Sequence, residues 1–234
     1  FDTSDAADAL ARIDNRSATI VSMQNGYGNV ELLSERFGDD RVLGGRVITG
    51  FLFERPGCVR ITVHADAVSI GRFDGSDSSA ADVLAAAIDA AGLPARSSPR
   101  VQAELWAKIL YNCALNPLGA ILGVKYGALG ARPETCDLMA RIVGEAYAVI
   151  TALDLPRAWP TPEEFLHVFY DRLLPPTADH TPSMLQDIRA GKRTEIDALN
   201  GAIVKLGQGT SIDAPVNSIV TDLVRFLETQ RLAN

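Results

Sequence analysis

The sequence predicts an α/β unit followed by an all-helical one. Strand-like and helix-like patterns alternate up to Ser98, and from Pro99 onward strand signals all but vanish while helix starts multiply. Of the 234 residues, 47% are hydrophobic, enough for both units to bury a core. The boundary is set near residue 98, giving units over 1–98 and 99–234.

Ala6 to Ile13 is Ala-rich and reads as helix. Ala18 to Met23 is a short buried strand that ends at Gln24-Asn25-Gly26. Asn29 to Phe37 returns to helical period. Val42 to Phe53, Val59 to Val63 and Ala67 to Ile70 read as strands, interrupted by Arg55-Pro56-Gly57 and by His64 to Asp66. Ser79 to Ala91 is a helix of good formers, stopped by Gly92 and Pro94. Ser98 is placed to cap the next helix, with Pro99 at its first position. Helices are expected at 100–122, 134–153, 162–173, 184–190, 195–207 and 215–231. Three of them open on capping patterns: Thr161 with Glu164, Ser183 with Gln186, and a weaker one, Thr194 with Asp197. Gly207-Gln-Gly209 reads as a helix stop.

Composition narrows the function. The net charge is −7, and Lys and Arg are scattered, which argues against a nucleic-acid surface. The longest apolar run, Val83 to Ile88, is too short to span a membrane. No basic segment leads into an apolar one at the start, so no secretory signal is expected. Cys58, Cys113 and Cys136 are odd in number and form no CxxC, which fits a reduced cytoplasmic protein. His64, His167 and His180 have no metal-ligand spacing, so no metal is expected. The first residue is Phe1 rather than Met, and a segment upstream of it is expected.

Three constellations bear on chemistry. Lys108, Asn112 and Asn116 follow each other at i, i+4 and i+8, within an arc of about 80° on one helix face. A solvated stripe would have the same spacing, yet asparagine is a poor helix former, and Glu, Lys or Gln would serve solvent better. Lining a cleft, a desolvated Lys108 would have its pKa drawn below the usual ~10.4 and could protonate a developing alkoxide. Pro117 is expected to break or bend this helix, freeing carbonyls for the asparagines. Ser183 reads either as an ordinary cap or as part of a helix N-terminus that receives a carboxylate. Glu195 reads as an ordinary first-turn carboxylate, or as a partner for a lysine or a cofactor amide. Asn25 closes a buried strand ahead of a helix, where α/β proteins place ligands, so it is a cofactor-contact candidate. No GxGxxG, GxSxG, HExxH or Walker loop occurs.

Gln24-Asn25-Gly26, Leu105-Trp-x-Lys108-x-x-x-Asn112-x-x-x-Asn116-Pro117, Ser183-Met-x-x-Asp187 and Thr194-Glu195-Ile-Asp-x-x-Asn-Gly201 together resemble the ketopantoate reductase (2-dehydropantoate 2-reductase) family, in its order and over nearly the whole chain. The resemblance implies the later part of a Rossmann-like NADP-binding domain over 1–98. Over 99–234 it implies a helical, 6-phosphogluconate-dehydrogenase-like domain for substrate binding and dimerisation, with the active site between the two. It implies reduction of ketopantoate to pantoate by NADPH, in the route to pantothenate and coenzyme A. Lys108 would be the general acid, and Asn112, Asn116 and Ser183 would bind the 2-keto acid. Glu195 would support catalysis and cofactor, and Asn25 would contact the cofactor. A homodimer is admitted. The family's glycine-rich phosphate loop is expected upstream of Phe1, so the residues given are not expected to hold NADPH tightly alone. Where some members carry Asn before a Gly-x-Leu segment, this chain has Tyr126, which bears on the substrate more than on the reaction class. The competing readings are a reductase of another 2-keto acid and a non-catalytic helical binding or oligomerisation fragment.

Overall fold

A computed structural model describes residues 2–13 and 17–232, without the side chains of 52, 53, 62, 63, 231 and 232. Phe1, and the expectation that rests on it, lies outside the described residues. The chain divides into two units, Phe1–Leu105 and Trp106–Asn234.

The first unit runs α1 (Thr3–Arg12), β1 (Ile20–Ser22), α2 (Asn29–Phe37), β2 (Val42–Arg55), β3 (Cys58–Gly71), α3 (Ser79–Ala90) and β4 (Ala95–Ser97). The sheet order is β1-β2-β3-β4, antiparallel between β2 and β3 and parallel in the other two pairs. Neighbouring residues of a strand face opposite ways, so Val42 and Leu43 serve different cores. Val42 packs with Ala7, Val30 and Leu33 from α1 and α2, while Leu43 packs with Val68, Ile70 and Ala81.

Two strand expectations need correction. His64 to Asp66 does not interrupt the ladder; β3 runs through it, and the pairing absorbs the irregularity as register shifts between Arg46 and Thr49. The polar residues there are paired across the hairpin. Thr49 Oγ1 meets His64 Nδ1 at 2.9 Å, and Arg46 donates to Asp66 at 2.6 Å. The short strand β4 falls where the sequence suggested only the end of a helix, because three residues carry too little pattern to read.

Arg46 is only 6% exposed, and Glu104 lies 3.2 Å from its Nε. Burial pushes the Glu104 carboxyl up. Hydrogen bonds from Ser69 and Ser98 and the charges of Arg46 and Arg96 outweigh that, holding it below the usual carboxylate range. Ser98 accepts from the Arg100 N–H at 3.2 Å and donates to Glu104 at 2.8 Å. Pro99 therefore sits in a turn ahead of the helix, which begins at Val101 rather than at the proline.

That helix, α4 (Val101–Leu122), carries the chain into the second unit. After it come α5 (Tyr126–Gly130), α6 (Pro133–Ala152), α7 (Pro162–Val168), α8 (Ser183–Arg189), α9 (Asn200–Thr210) and α10 (Pro215–Leu232). No strand follows β4 among the described residues. Met139, Ile142, Phe165, Phe169, Ile196 and Val224 are fully buried and form much of the core. α7 opens on its proline, with Thr161 accepting the Glu164 N–H at 3.2 Å, and the chain continues through a wider turn at Phe169–Leu173. The expected stop at Gly207 and Gly209 does not occur. α9 passes both and ends where Ser211 turns left-handed at φ 59°.

Pro117 does not break α4 either. It has no N–H to give the carbonyl one turn back, that of Cys113. The missing donor comes from Asn200, whose Nδ2 reaches Cys113 O at 3.2 Å, so neither asparagine of the α4 stripe supplies it. The same amide donates to Asn217 at 3.0 Å, and Asn217 donates to Ile142 O at 3.2 Å and to Glu145 at 2.8 Å. Glu145 in turn accepts the Val216 and Asn217 N–H groups at 2.9 and 3.0 Å, at the start of α10. Three polar side chains thus tie α4, α6, α9 and α10 together.

Candidate active site

Because α4 is continuous, Lys108, Asn112 and Asn116 do share one face. They are not a solvated stripe. Lys108 is half-buried and engaged with a partner, Asn112 is 9% exposed and Asn116 is 2% exposed. A helix propensity cost accepted twice in a buried stripe points to amides retained for what they bind. No hydrogen bond among the described residues engages Asn112 or the Nδ2 of Asn116. Neither group is among the fully enclosed polar atoms left without a partner, so their donor capacity is unspent among the described residues.

Ser183 comes to this stripe from 67 residues away, and its hydroxyl donates to Asn116 Oδ1 at 3.4 Å. It does not cap its helix. Pro182 stands at that position, Ser183 is the first helical residue, and Gln186 turns instead to Thr181 O at 2.9 Å. A cap needs an extended backbone just outside the helix, and proline takes that place here.

Two close approaches set Ser183. A side chain at Gly119 of α4 would come within 2.4 Å of Pro182 Cγ, so Pro182 lies directly on the helix at its glycine. The Gly127 and Tyr126 N–H groups donate to Ala178 O and His180 O at 2.8 and 3.3 Å, fixing the segment that leads into α8. Gly119→Ala should therefore cost about 1–3 kcal/mol by overpacking, seen as a lower denaturation midpoint. An unchanged midpoint would mean that Pro182 is free to move away.

Tyr126 also reaches the stripe. It is 3% exposed, and its hydroxyl donates to Asn116 Oδ1 at 2.7 Å. The sequence offered it only as a departure from a pattern. Its ring meets Tyr111 edge-on at 5.9 Å and His180 at 5.2 Å. Burial, and then the neighbouring Tyr111, push the phenol far above its ordinary pKa, so it is a neutral donor throughout the working range.

Glu195 is half-buried and engaged with a partner, just ahead of a short 3-10 turn, Ile196–Ala198. It does not open a long helix, because α9 starts only at Asn200. Thr194 accepts the Ile196 N–H at 3.2 Å, closing a tighter turn than the capping pattern suggested.

Asn25 belongs to the first unit. It follows β1 in a turn where Gly26 and Gly28 take φ of 84° and 99°, values that favour glycine. Asn29 Nδ2 donates to Asn25 O at 2.9 Å, and the Gly28 N–H donates to Glu31 at 3.1 Å, which pins the strand-to-helix turn. A Cβ built on Gly28 meets nothing within 4 Å, so the backbone there is open to a ligand. This Gly-x-Gly, rather than the one at Gly207 and Gly209, is the pair that shapes a strand-to-helix turn. An open turn at the C-terminal end of a parallel strand fits a dinucleotide cofactor.

Comparison with known proteins follows the same division. The family model for the ketopantoate reductase PanE/ApbA C terminal matches residues 100–228, and that for ketopantoate reductase PanE/ApbA matches residues 1–75. The 2-dehydropantoate 2-reductase of Aquifex aeolicus is 43% identical over 97% of this chain and 74% of its own length. That of Archaeoglobus fulgidus is 33% identical over 98% of this chain and 74% of its own. Among solved structures, a PanE/ApbA family ketopantoate reductase from Ralstonia eutropha superposes with a TM-score of 0.85, at 31% identity over 99% of this chain and 74% of that one. A D-mandelate dehydrogenase in complex with NADH superposes with a TM-score of 0.85, at 25% identity over 97% of this chain and 75% of that one.

Proposed function

The chain belongs to the ketopantoate reductase family, and from that premise we propose that it reduces a 2-keto acid, 2-dehydropantoate, to the 2-hydroxy acid with NADPH. Residues 1–98 then form the later part of the NADP-binding domain, and 99–234 the helical domain for substrate binding and dimerisation. The observation that carries the reading is Asn116: buried, on one face with Lys108, and joined by Ser183 from a distant helix.

NADPH, when bound, supplies the hydride for the keto carbon. The chain's own residues handle the oxygen atoms and the proton. Lys108 gives its proton to the keto oxygen as negative charge grows there. Asn112 and Asn116 offer N–H donors to substrate oxygens, and Ser183 turns its one hydroxyl proton from Asn116 Oδ1 to the carboxylate, leaving the shorter Tyr126 bond to hold the amide. Glu195 holds the arrangement and supports the cofactor. Asn25 and the open Gly28 turn are the cofactor contacts.

The test is turnover of 2-dehydropantoate by the full-length protein, with NADPH and NADH compared as donors. A kcat/KM preference for NADPH supports the reading; a preference for NADH would move the chain towards the D-mandelate dehydrogenases. Tyr126 against Asn116 also keeps a reductase of another 2-keto acid in view, and a panel of such acids decides between them. Free Cys58, Cys113 and Cys136 suit the reducing cytoplasm. No described helix is long and apolar enough to cross a membrane.

A homodimer through α10 completes the proposal. Ile219, Leu223 and Phe226 stand exposed on it at four- and three-residue spacing, the seam of a paired helix. Leu223→Glu should shift sedimentation from dimer to monomer, whereas a wild-type monomer would remove the dimer.

A further inference from the structure

We propose that Tyr126 is a positioning residue: its hydroxyl locks the Asn116 carboxamide with its N–H donors turned to the bound 2-keto acid. This rests on the reductase reading above.

A carboxamide presents an acceptor on one side and two donors on the other, and its two orientations have nearly the same shape. In an unconstrained pocket either side can face the ligand. For an anionic keto acid the two differ greatly, because carboxylate and keto oxygens can only accept, so they need N–H groups and are repelled by a carbonyl oxygen. Here the choice is made by the chain. Asn116 Oδ1 receives the Tyr126 hydroxyl at 2.7 Å and the Ser183 hydroxyl at 3.4 Å, filling both of its acceptor positions. Tyr126 is the stronger of the two holds, by its shorter distance and by burial, since Ser183 lies exposed at the start of α8. No hydrogen bond among the described residues engages Nδ2, which lies on the far side of the planar amide from the oxygen that both hydroxyls hold.

The Tyr126 ring is itself held. Tyr111 packs on it edge-on, and His180 packs on it from the segment leading to α8. The backbone N–H of Tyr126 is bonded to His180 O at 3.3 Å. The hydroxyl therefore has a fixed point to act from, and the amide is set before substrate arrives. The consequence is selectivity: the site prefers a ligand with an oxygen acceptor at Asn116 over one with a donor there.

Tyr126→Phe is the direct test, since it removes one oxygen and keeps the ring. KM for 2-dehydropantoate should rise about 10-fold, while kcat changes less than about 3-fold and KM for NADPH stays level. A ring with a merely structural role would move the melting temperature and leave this KM-against-kcat split absent. The melting temperature is therefore measured alongside. A second reading does not need turnover. Isotope-labelled side-chain signals of Asn116 should be sharp in the wild type and broadened by amide reorientation in Tyr126→Phe. An unchanged KM with sharp Asn116 signals in the variant would overturn the positioning role. So would a fall in kcat at constant KM, which would place Tyr126 in the chemical step. A wild-type protein inert towards every 2-keto acid tested would overturn the reductase reading itself, and the positioning role with it.

Discussion

Replacing Lys108 with alanine should lower kcat by about 10²–10⁴-fold, the range for loss of a positioned general acid. The expectation follows from its place on α4. Lys108 shares a face with the two buried asparagines proposed to hold the substrate, and it is the only cation among these three residues. Reduction of a ketone puts a full negative charge on oxygen unless a proton arrives, and asparagine hydrogen bonds cannot supply one. Lys108→Arg sharpens the test. Arginine keeps the positive charge but does not release its proton in the working range, so KM should stay close to wild type while kcat remains low. Steady-state rates from NADPH consumption, with circular dichroism as a check on folding, decide the matter. A wild-type kcat in Lys108→Ala would remove Lys108 from the chemistry.

The second large effect is on stability. Asn200→Ala should destabilise the protein by about 2–6 kcal/mol, because it strands two buried acceptors at about 1–3 kcal/mol each. One is Cys113 O, which Pro117 cannot serve, and the other is Asn217 Oδ1. The proline makes a particular pattern follow. In a Pro117→Ala background, an N–H returns to Cys113 O, so Asn200→Ala should cost about 1 kcal/mol less than in the wild type. Denaturant midpoints of the four proteins measure this coupling. Strictly additive losses would mean that Asn200 does not stand in for the donor that proline lacks.

Much of this molecule was legible as sequence. The helix over Asn29 to Phe37 was read with its bounds, and α3, α4, α6 and α10 within a residue or two, because their patterns are long and their caps or prolines local. The shared face of Lys108, Asn112 and Asn116 needed only the helical period. Three of the failed readings were overturned by a partner far along the chain. His64 to Asp66 looks like a strand break until Arg46 and Thr49 are placed across from it. Ser183 looks like a cap until Asn116 claims its hydroxyl. Pro117 looks like a helix breaker until Asn200, 87 residues on from Cys113, repairs the ladder.

What the sequence determined by itself, then, was set by period and by the order of the elements: the α/β-then-helical order, the polar stripe on α4, and the strand-to-helix turn at Asn25. Tertiary structure alone decided which partner each polar group takes. Asparagine, serine and tyrosine carry hydrogen-bonding groups with no inherent direction, and in a buried setting they bond to whatever the packing brings near. Asn116 could have faced its carbonyl or its amide to a ligand, and nothing within one helical turn of it chooses. The choice rests with Tyr126 and Ser183, held against α4 through Pro182 on Gly119 and His180 on Tyr126, contacts that exist only once the helices have packed.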